Sequence, residues 1–116
     1  MIVAFSIQPT GEPSDPAIAR RLTDDADSAS VHDAVAAAVR IVRDSGLPHR
    51  TSSMFTEIEG EWDEVMDVVR RATDEAARYG SRVSLVLKAD IRPGRTGELD
   101  GKIDRLQTAI DRLDES

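Results

Sequence analysis

Two stretches of the chain alternate between apolar and polar residues, which is the period of a strand with one buried face. Residues 2–8 and 82–92 both follow this period of two. We expect Pro9 to end the first strand, because its nitrogen cannot donate to a sheet ladder. One phase of each strand is expected to face covering helices: Val3, Phe5 and Ile7, with Val83, Leu85 and Leu87. The other phase should lie on an open face of the sheet.

Apolar residues three and four positions apart predict three helices. The first begins at Ser30 and ends before Gly46 and Pro48, the second lies between Gly60 and Gly80, and the third is C-terminal. In the third helix the apolar residues form a heptad row of two repeats: Leu99, Ile103, Leu106, Ile110 and Leu113. Such a row is equally consistent with packing on the domain itself and with packing on a second copy.

Two segments lack a clear period. Residues 12–29 are rich in proline and acidic residues. We expect a long loop insertion there, with at most one helical turn at 17–22 and little contribution to the core. Residues 49–59 are extended in character. They form either a hairpin of two short strands that turns at 52–54, or a single bent strand.

The predicted order is strand, helix, one or two strands, helix, strand, helix. With a hairpin in the middle, this order is an α+β fold, the ferredoxin-like βαββαβ sandwich with an additional C-terminal helix. Two helices would cover one face of a four-stranded antiparallel sheet and leave the other face open. Residues 1–116 are expected to form a single domain, in agreement with the usual size of domains.

The amino-acid composition limits the classes of function that the chain is expected to have. Lys and Arg number 15 against 22 Asp and Glu, a net charge of −7. This acidic balance argues against nucleic-acid binding and is compatible with a cationic small molecule. The absence of Cys excludes disulfides and thiolate chemistry. No apolar run approaches the about 18–20 residues of a membrane span, and the N-terminus has no basic leader. We therefore expect a cytoplasmic protein with no membrane partner.

Candidate catalytic chemistry is sparse. The sequence contains no HExxH, GxSxG, Walker or GxGxxG motif. His32 and His49 have no neighbours at metal-ligand spacing. We therefore predict that the chain is not an enzyme and holds no metal. The open face, in contrast, mixes Ser, Gln, Glu and Lys, a composition that suits a polar ligand or a second copy.

The segment TEIEGEWDEVM at 56–66 resembles the small thiamine-binding protein family, which has a ferredoxin-like fold. Four other segments resemble parts of that family in the same order. They are IVAFSIQPTG near the start, SVHDAVAAAVRIVRDSGLPHRTSSM in the first half, and RVSLVLKADIRPG followed by LDGKIDRL in the last third. The resemblance covers nearly the whole chain apart from about 12–29, which is longer than the usual connection in the family.

The resemblance implies a non-catalytic protein that binds thiamine or its hydroxymethylpyrimidine part. It also implies a homodimer or homotetramer, and no cofactor beyond the bound ligand. Matched residue by residue, the ligand site would include Ser6 and Gln8 from the first strand, Thr56 and Glu59 from the TEIEG segment, and Lys88 from the last strand.

Phe55 stands where many members of the family have Gly, a departure that bears on the shape of the site. Its aromatic face is able to contact the thiazolium cation, and a carboxylate such as Glu59 is able to accept a charge-assisted hydrogen bond from the aminopyrimidine. The alternative function is a structural or regulatory ferredoxin-like oligomer module that senses another small molecule.

Overall fold

A computed structural model describes residues 1–24 and 29–115, with the side chains of 1–20 and 32–115. The elements are β1 (Ile2–Thr10), α1 (Pro16–Asp24), α2 (Ala29–Asp44), β2 (His49–Thr51), β3 (Thr56–Glu59), α3 (Trp62–Ala76), β4 (Arg82–Asp90) and α4 (Glu98–Asp114). In this described part of the chain, no helix is long and apolar enough to cross a membrane.

The four strands form one antiparallel sheet in the order β2-β3-β1-β4. The central strand β1 pairs Val3 with Ile58 on one side and with Ala89 on the other. Residues 49–59 form the hairpin rather than the single bent strand, and the backbone N–H of Ser52 donates to the Phe55 carbonyl across its turn at 2.9 Å. The predicted α+β, ferredoxin-like arrangement is therefore confirmed.

The core lies between one face of the sheet and helices α2 and α3. Its buried residues come from the predicted inward phase of β1, from Ile58, and from the apolar faces of the two helices: Val3, Phe5, Ile7, Ala38, Val42, Ile58, Val65, Val68, Val69, Ala72 and Ala76. Val83 and Leu87 of β4 pack against this core. Leu85 lies on the same side, opposite Ile7, but it is exposed because β4 is the outer strand.

The prediction of a loop over 12–29 is wrong for Pro16–Asp24, which forms the nine-residue helix α1. Asp15 starts this helix, because its carboxylate accepts from the backbone N–H of Ala17 at 2.9 Å. Pro16 then occupies the first helical position, where a missing N–H costs nothing. Ile18 is buried, so the segment does contribute to the packed interior. Residues 25–28 of the predicted insertion lie outside the described residues.

Helix α4 follows β4 and turns back across the open face of the sheet. Gly97 makes this turn with a φ of 67°, a left-handed conformation that glycine adopts without steric cost. The first turns of α4 are attached to the sheet by ion pairs, one between Arg50 and Asp100 at 2.5 Å and one between Asp90 and Lys102. The open face is thus partly covered by one end of α4.

Candidate functional site

A cavity of about 110 Å³ opens between α2 and the edge of the sheet. We call it the α2 cavity. Its lining comes from β1, from the β2-β3 turn and from α2: Phe5, Ser6, Ile7, Val35, Ala38, Val39, Thr51, Ser52, Ser53, Met54, Phe55 and Thr56. The lining therefore includes Ser6, Phe55 and Thr56, three of the six residues predicted for the ligand site.

The sheet register explains why the cavity forms at this place. β3 begins with Thr56 opposite Phe5, so the edge of β1 from Ser6 onward has no neighbouring strand on that side. Thr56 shares the helix-facing side with Phe5, whereas Ser6 belongs to the opposite phase. The gap beside β1 lets residues of both phases border the same space.

The turn between β2 and β3 holds Phe55 at the mouth of the α2 cavity. The Ser52 hydroxyl donates to the Phe55 carbonyl at 3.1 Å and accepts from the Phe55 N–H at 3.4 Å. Met54, beside it, is largely exposed. An aromatic ring and a flexible thioether therefore form the rim that faces solvent.

Among the described residues, no side chain that lines the α2 cavity is ionisable. Four of the lining hydroxyls form no hydrogen bond with any residue in the described ranges: Ser6, Thr51, Ser53 and Thr56. Because each hydroxyl both donates and accepts, the α2 cavity suits a small ring with donors and acceptors on its edge and apolar faces.

A second cavity, about 280 Å³, lies on the open face between the sheet and the first turns of α4. We call it the α4 groove. Its lining combines an apolar floor with charged side chains: Ile2, Ala4, Glu57, Lys88, Asp90, Glu98, Leu99, Lys102 and Ile103. Lys88, another of the predicted ligand residues, therefore lines a different cavity from Ser6, Phe55 and Thr56. In the register, Ala4 lies between Glu57 and Lys88.

Glu59 lies on the open face, as the strand phase predicts, but its carboxylate contacts α4 rather than a cavity. It is buried, and it accepts from the backbone N–H of Glu98 at 2.7 Å and from that of Leu99 at 3.4 Å. These amides belong to the first turn of a helix, where a negative charge is favourable. In this arrangement Glu59 positions α4, and its role as a ligand residue stays a prediction.

Gln8 borders neither cavity. It is exposed on the open face of β1, opposite Ser84. The six predicted site residues are thus divided. Three meet at the α2 cavity, one lines the α4 groove, and two, Gln8 and Glu59, lie elsewhere.

Ion pairs fix the electrostatics at the start of α4. The Glu98 carboxylate accepts from Arg105 at 2.6 Å and lies 3.9 Å from the Arg92 guanidinium. The hydrogen bond from Arg105 holds the pKa of Glu98 below its usual value, with a smaller contribution in the same direction from Arg92. Lys102 lowers the pKa of Asp90 in the same way. Both carboxylates therefore stay ionised at neutral pH. No group of three or more potential metal-ligating side chains occurs within the described residues.

Sequence reasoning assigned a ligand role to three of the twelve residues that line the α2 cavity and missed the other nine. The periodicity places Val35 and Val39 on the apolar face of the first predicted helix, Thr51 in the extended segment and Ser53 in the turn. The signal that was available is the run of three hydroxyl residues, Thr51-Ser52-Ser53, at the predicted turn. What brings this turn to α2 is tertiary packing, which local patterns do not encode.

A family model described as "Thiamine-binding protein" matches residues 23–107. The chain belongs to this thiamine-binding protein family. Within this similarity, a UPF0045 protein of Mycobacterium bovis is 42% identical over 104 residues, which cover 89% of this chain and 87% of that protein. A UPF0045 protein of Synechocystis is 29% identical over 83 residues, which cover 71% of this chain and 69% of that protein.

Solved structures share the fold of this thiamine-binding protein family member. A hypothetical protein of Methanocaldococcus jannaschii superposes with a TM-score of 0.71 at 24% identity, over 91% of this chain and 94% of that one. A Thermotoga maritima protein named for a proposed role in thiamine biosynthesis or salvage superposes with a TM-score of 0.58 at 22% identity, over 86% of this chain and 95% of that one.

Proposed function

We propose that the chain binds thiamine or its hydroxymethylpyrimidine part, does not alter it chemically, and acts as a homo-oligomer. The observation that carries the proposal is the convergence of Ser6, Phe55 and Thr56 on the α2 cavity. Ser6 on β1 and Thr56 on β3 come from segments that resemble the thiamine-binding family, and Phe55 lies between them in the β2-β3 turn, at a position where the chain departs from the family. The description of the matching family model supports the same ligand class.

The lining of the α2 cavity matches the chemistry of an aminopyrimidine. The ring carries an exocyclic amino donor and ring-nitrogen acceptors, and its faces are apolar. The free hydroxyls of Ser6, Thr51 and Thr56 supply partners of both kinds, while Val35 and Val39 supply apolar contact for the ring faces. Neutral hydroxyls suffice for this recognition, because the pyrimidine itself is uncharged at neutral pH.

Size favours the pyrimidine half as the buried part of the ligand. The α2 cavity holds about 110 Å³, whereas pockets for whole drug-sized ligands measure roughly 300–1,000 Å³. The thiazolium would therefore extend past the rim, where Phe55 offers a ring face to the cation. Such a contact contributes about 0.5–2 kcal/mol, depending on desolvation.

Calorimetric titration with thiamine and with hydroxymethylpyrimidine tests the proposal. Phe55→Leu keeps an apolar rim but removes the ring face, so it should weaken thiamine roughly two- to thirtyfold. It should leave neutral hydroxymethylpyrimidine nearly unchanged, because that ligand carries no cation. Trp62→Leu also removes an exposed aromatic ring but lies in neither cavity, so it is the matched control and should bind both compounds as the wild type does. Failure of the wild type to bind either compound would overturn the proposal.

A second candidate function is a regulatory module that senses a different, charged small molecule. The α4 groove favours it, because Lys88 and Glu57 flank Ala4 there and neither side chain makes a hydrogen bond or ion pair within the described residues. Lys88→Met would abolish binding of such a ligand. The same variant would leave an aminopyrimidine at the α2 cavity unaffected, so it separates the two candidates.

A further inference from the structure

A third cavity, an open groove of about 500 Å³, runs along α2 and is lined by residues of that helix. We call it the arginine groove. Its charged and titratable lining consists of His32, Arg40, Arg43 and Asp44. The two arginine charges exceed the one carboxylate. The groove therefore attracts anions, although the chain as a whole has a net charge of −7.

The arginine groove is continuous with the α2 cavity. Val35 and Val39 line both of them, and Val35 is 40% exposed. A ring that fills the α2 cavity therefore contacts the same two valines that border the groove. A substituent on the edge of that ring is able to enter the groove without crossing open solvent.

Helix geometry brings an arginine to the boundary between the two cavities. Val35, Val39 and Arg43 are four residues apart, so they share one face of α2 and follow one another by about one turn of 5.4 Å. A long side chain on a helix covers the surface over the turn before its own Cα. Arg43 is therefore expected to cover the surface beside Val39, and Arg40 the surface beside Ala36, which also lines the groove.

The two arginines have no structural task in the described part of the chain. Both are exposed, and neither side chain makes a hydrogen bond or ion pair there. Arg70, Arg71 and Arg78, in contrast, all pair with nearby carboxylates. The guanidinium donors of Arg40 and Arg43 are thus available, and their planar fork matches the oxygens of a phosphate group.

The length of the ligand decides which anion fits. In a phosphate ester of hydroxymethylpyrimidine, one carbon and one oxygen join the phosphorus to the ring. With the ring against Val39, this phosphate reaches the surface that Arg43 covers one turn along the helix. Thiamine carries a cationic thiazolium on the same carbon, which the arginines would repel. The arginine groove therefore favours the anionic ester over the cationic vitamin.

From these observations we infer that the α2 cavity and the arginine groove form one site for a phosphate ester of hydroxymethylpyrimidine. The ring occupies the cavity, and Arg40 and Arg43 bind the phosphate. Asp44 lines the same groove and follows Arg43 at the end of α2, so it confines the positive charge to the part nearer Val39. The inference rests on the proposed function of the α2 cavity and adds the charged part of its ligand.

Calorimetric titration with hydroxymethylpyrimidine and with its phosphate ester tests the inference. The wild type should bind the ester at least about tenfold more tightly, because charged hydrogen bonds are added. Arg40→Gln and Arg43→Gln should each weaken the ester roughly three- to thirtyfold and leave the unphosphorylated compound within about twofold. Arg82→Gln removes the same charge from an exposed position that lines none of the three cavities. This control should bind both compounds as the wild type does.

Two further titrations separate a joint site from general attraction of anions. Glycerol phosphate has the phosphate but no ring, so it should bind at least about tenfold more weakly than the ester. Raising the salt concentration from about 0.05 to about 0.5 M should weaken the ester and leave the unphosphorylated compound unchanged, because salt screens exposed charges.

The outcomes distinguish this inference from the proposed function. If the wild type binds the two pyrimidines equally, if Arg82→Gln loses as much affinity for the ester as Arg43→Gln, or if glycerol phosphate binds as tightly as the ester, the inference is overturned. In each of these cases binding of hydroxymethylpyrimidine would still support the proposed function. Binding of neither pyrimidine would overturn both.

Discussion

Glu59 is the residue whose structural role differs most from its expected one. Its carboxylate, buried beneath the start of α4, accepts from two backbone amides of that helix. The strand phase correctly placed it on the open face, but its partners are 39 and 40 residues away in the chain. A local pattern specifies which side of the sheet a residue occupies, not which distant element packs there.

Glu59→Gln is expected to lower the free energy of unfolding by about 1–3 kcal/mol. The change removes the charge that favours the helix N-terminus and turns one acceptor oxygen into a donor that faces an amide. Urea denaturation measures the effect. Glu57→Gln is the control and should change the free energy of unfolding by under about 0.5 kcal/mol. Glu57 lies two residues earlier on the same face, and its side chain makes no hydrogen bond in the described ranges. If Glu59 instead binds the ligand, its variant should lose affinity rather than stability.

Thr56→Val should weaken ligand binding while keeping the shape of the α2 cavity. Valine has nearly the volume of threonine but no hydroxyl, so the ligand loses one neutral hydrogen bond. The expected loss is about 0.5–1.5 kcal/mol, or roughly two- to tenfold in affinity. Calorimetry with hydroxymethylpyrimidine measures it. An affinity equal to that of the wild type would remove the Thr56 hydroxyl from the site.

At the scale of elements, periodicity predicted the strands and three of the four helices, because each of them buries one regular face. Helix α1 was missed because its nine residues, Pro16–Asp24, contain few large apolar side chains and begin with proline. Proline is a helix breaker inside a helix but a favoured first residue. The pair Asp15-Pro16 therefore marks the beginning of a helix rather than a loop.

The packing of α1 gives a test at this scale. Ile18 is 4% exposed, so Ile18→Ala should cost about 2–4 kcal/mol through lost burial and the cavity that remains. Thermal or urea unfolding measures the change. Glu12→Ala, in the exposed segment before the helix, should be nearly neutral. Equal effects of the two substitutions would mean that α1 does not pack as described.

The ion pairs that hold the start of α4 predict a dependence of stability on pH. The pKa of Glu98 is lowered in the folded state, chiefly by Arg105. A lowered pKa contributes stability that is present above the unfolded-state pKa and is lost as the pH falls through the folded-state pKa. Stability should therefore decline as the pH falls below about 5. Glu98→Gln should flatten this decline, as measured by urea midpoints at pH 7, 5 and 3. An identical decline in both proteins would contradict the role of this pair.

At the scale of the whole molecule, the candidate ligand cavity and the apolar row of α4 (Ile103, Leu106 and Ile110) lie at different places on the sheet. The α2 cavity lies between α2 and the edge of β1, whereas the α4 row reaches the open face at Ile103, beside Ala4. The sequence contained both signals, as a resemblance and as a heptad row. It could not show where they lie relative to each other, because this depends on where β3 begins and on the path of α4.

These different places predict that ligand binding does not depend on the α4 row. Leu106→Glu, which places a charge in the exposed apolar row of α4, is expected to bind thiamine within about twofold of the wild-type affinity, because Leu106 is exposed and lines neither cavity. Calorimetry at the same protomer concentration measures the two affinities. A loss of more than tenfold would mean that the α4 row contributes to the ligand site.

Because β3 is short, part of the β1 edge has no neighbouring strand, and such an edge is a place where strands of other molecules could add. The Met1 carbonyl accepts from the Gly60 N–H at 3.1 Å, so odd-numbered residues of β1 direct their main-chain groups towards the β3 side. Beyond Phe5 those residues are Ile7 and Pro9, and proline has no amide to donate. An invading strand would find a single amide on this free edge, too few for a stable ladder. Pro9 thus disfavours the addition of a strand from another molecule to the β1 edge beside the α2 cavity. The same edge stays accessible to small molecules.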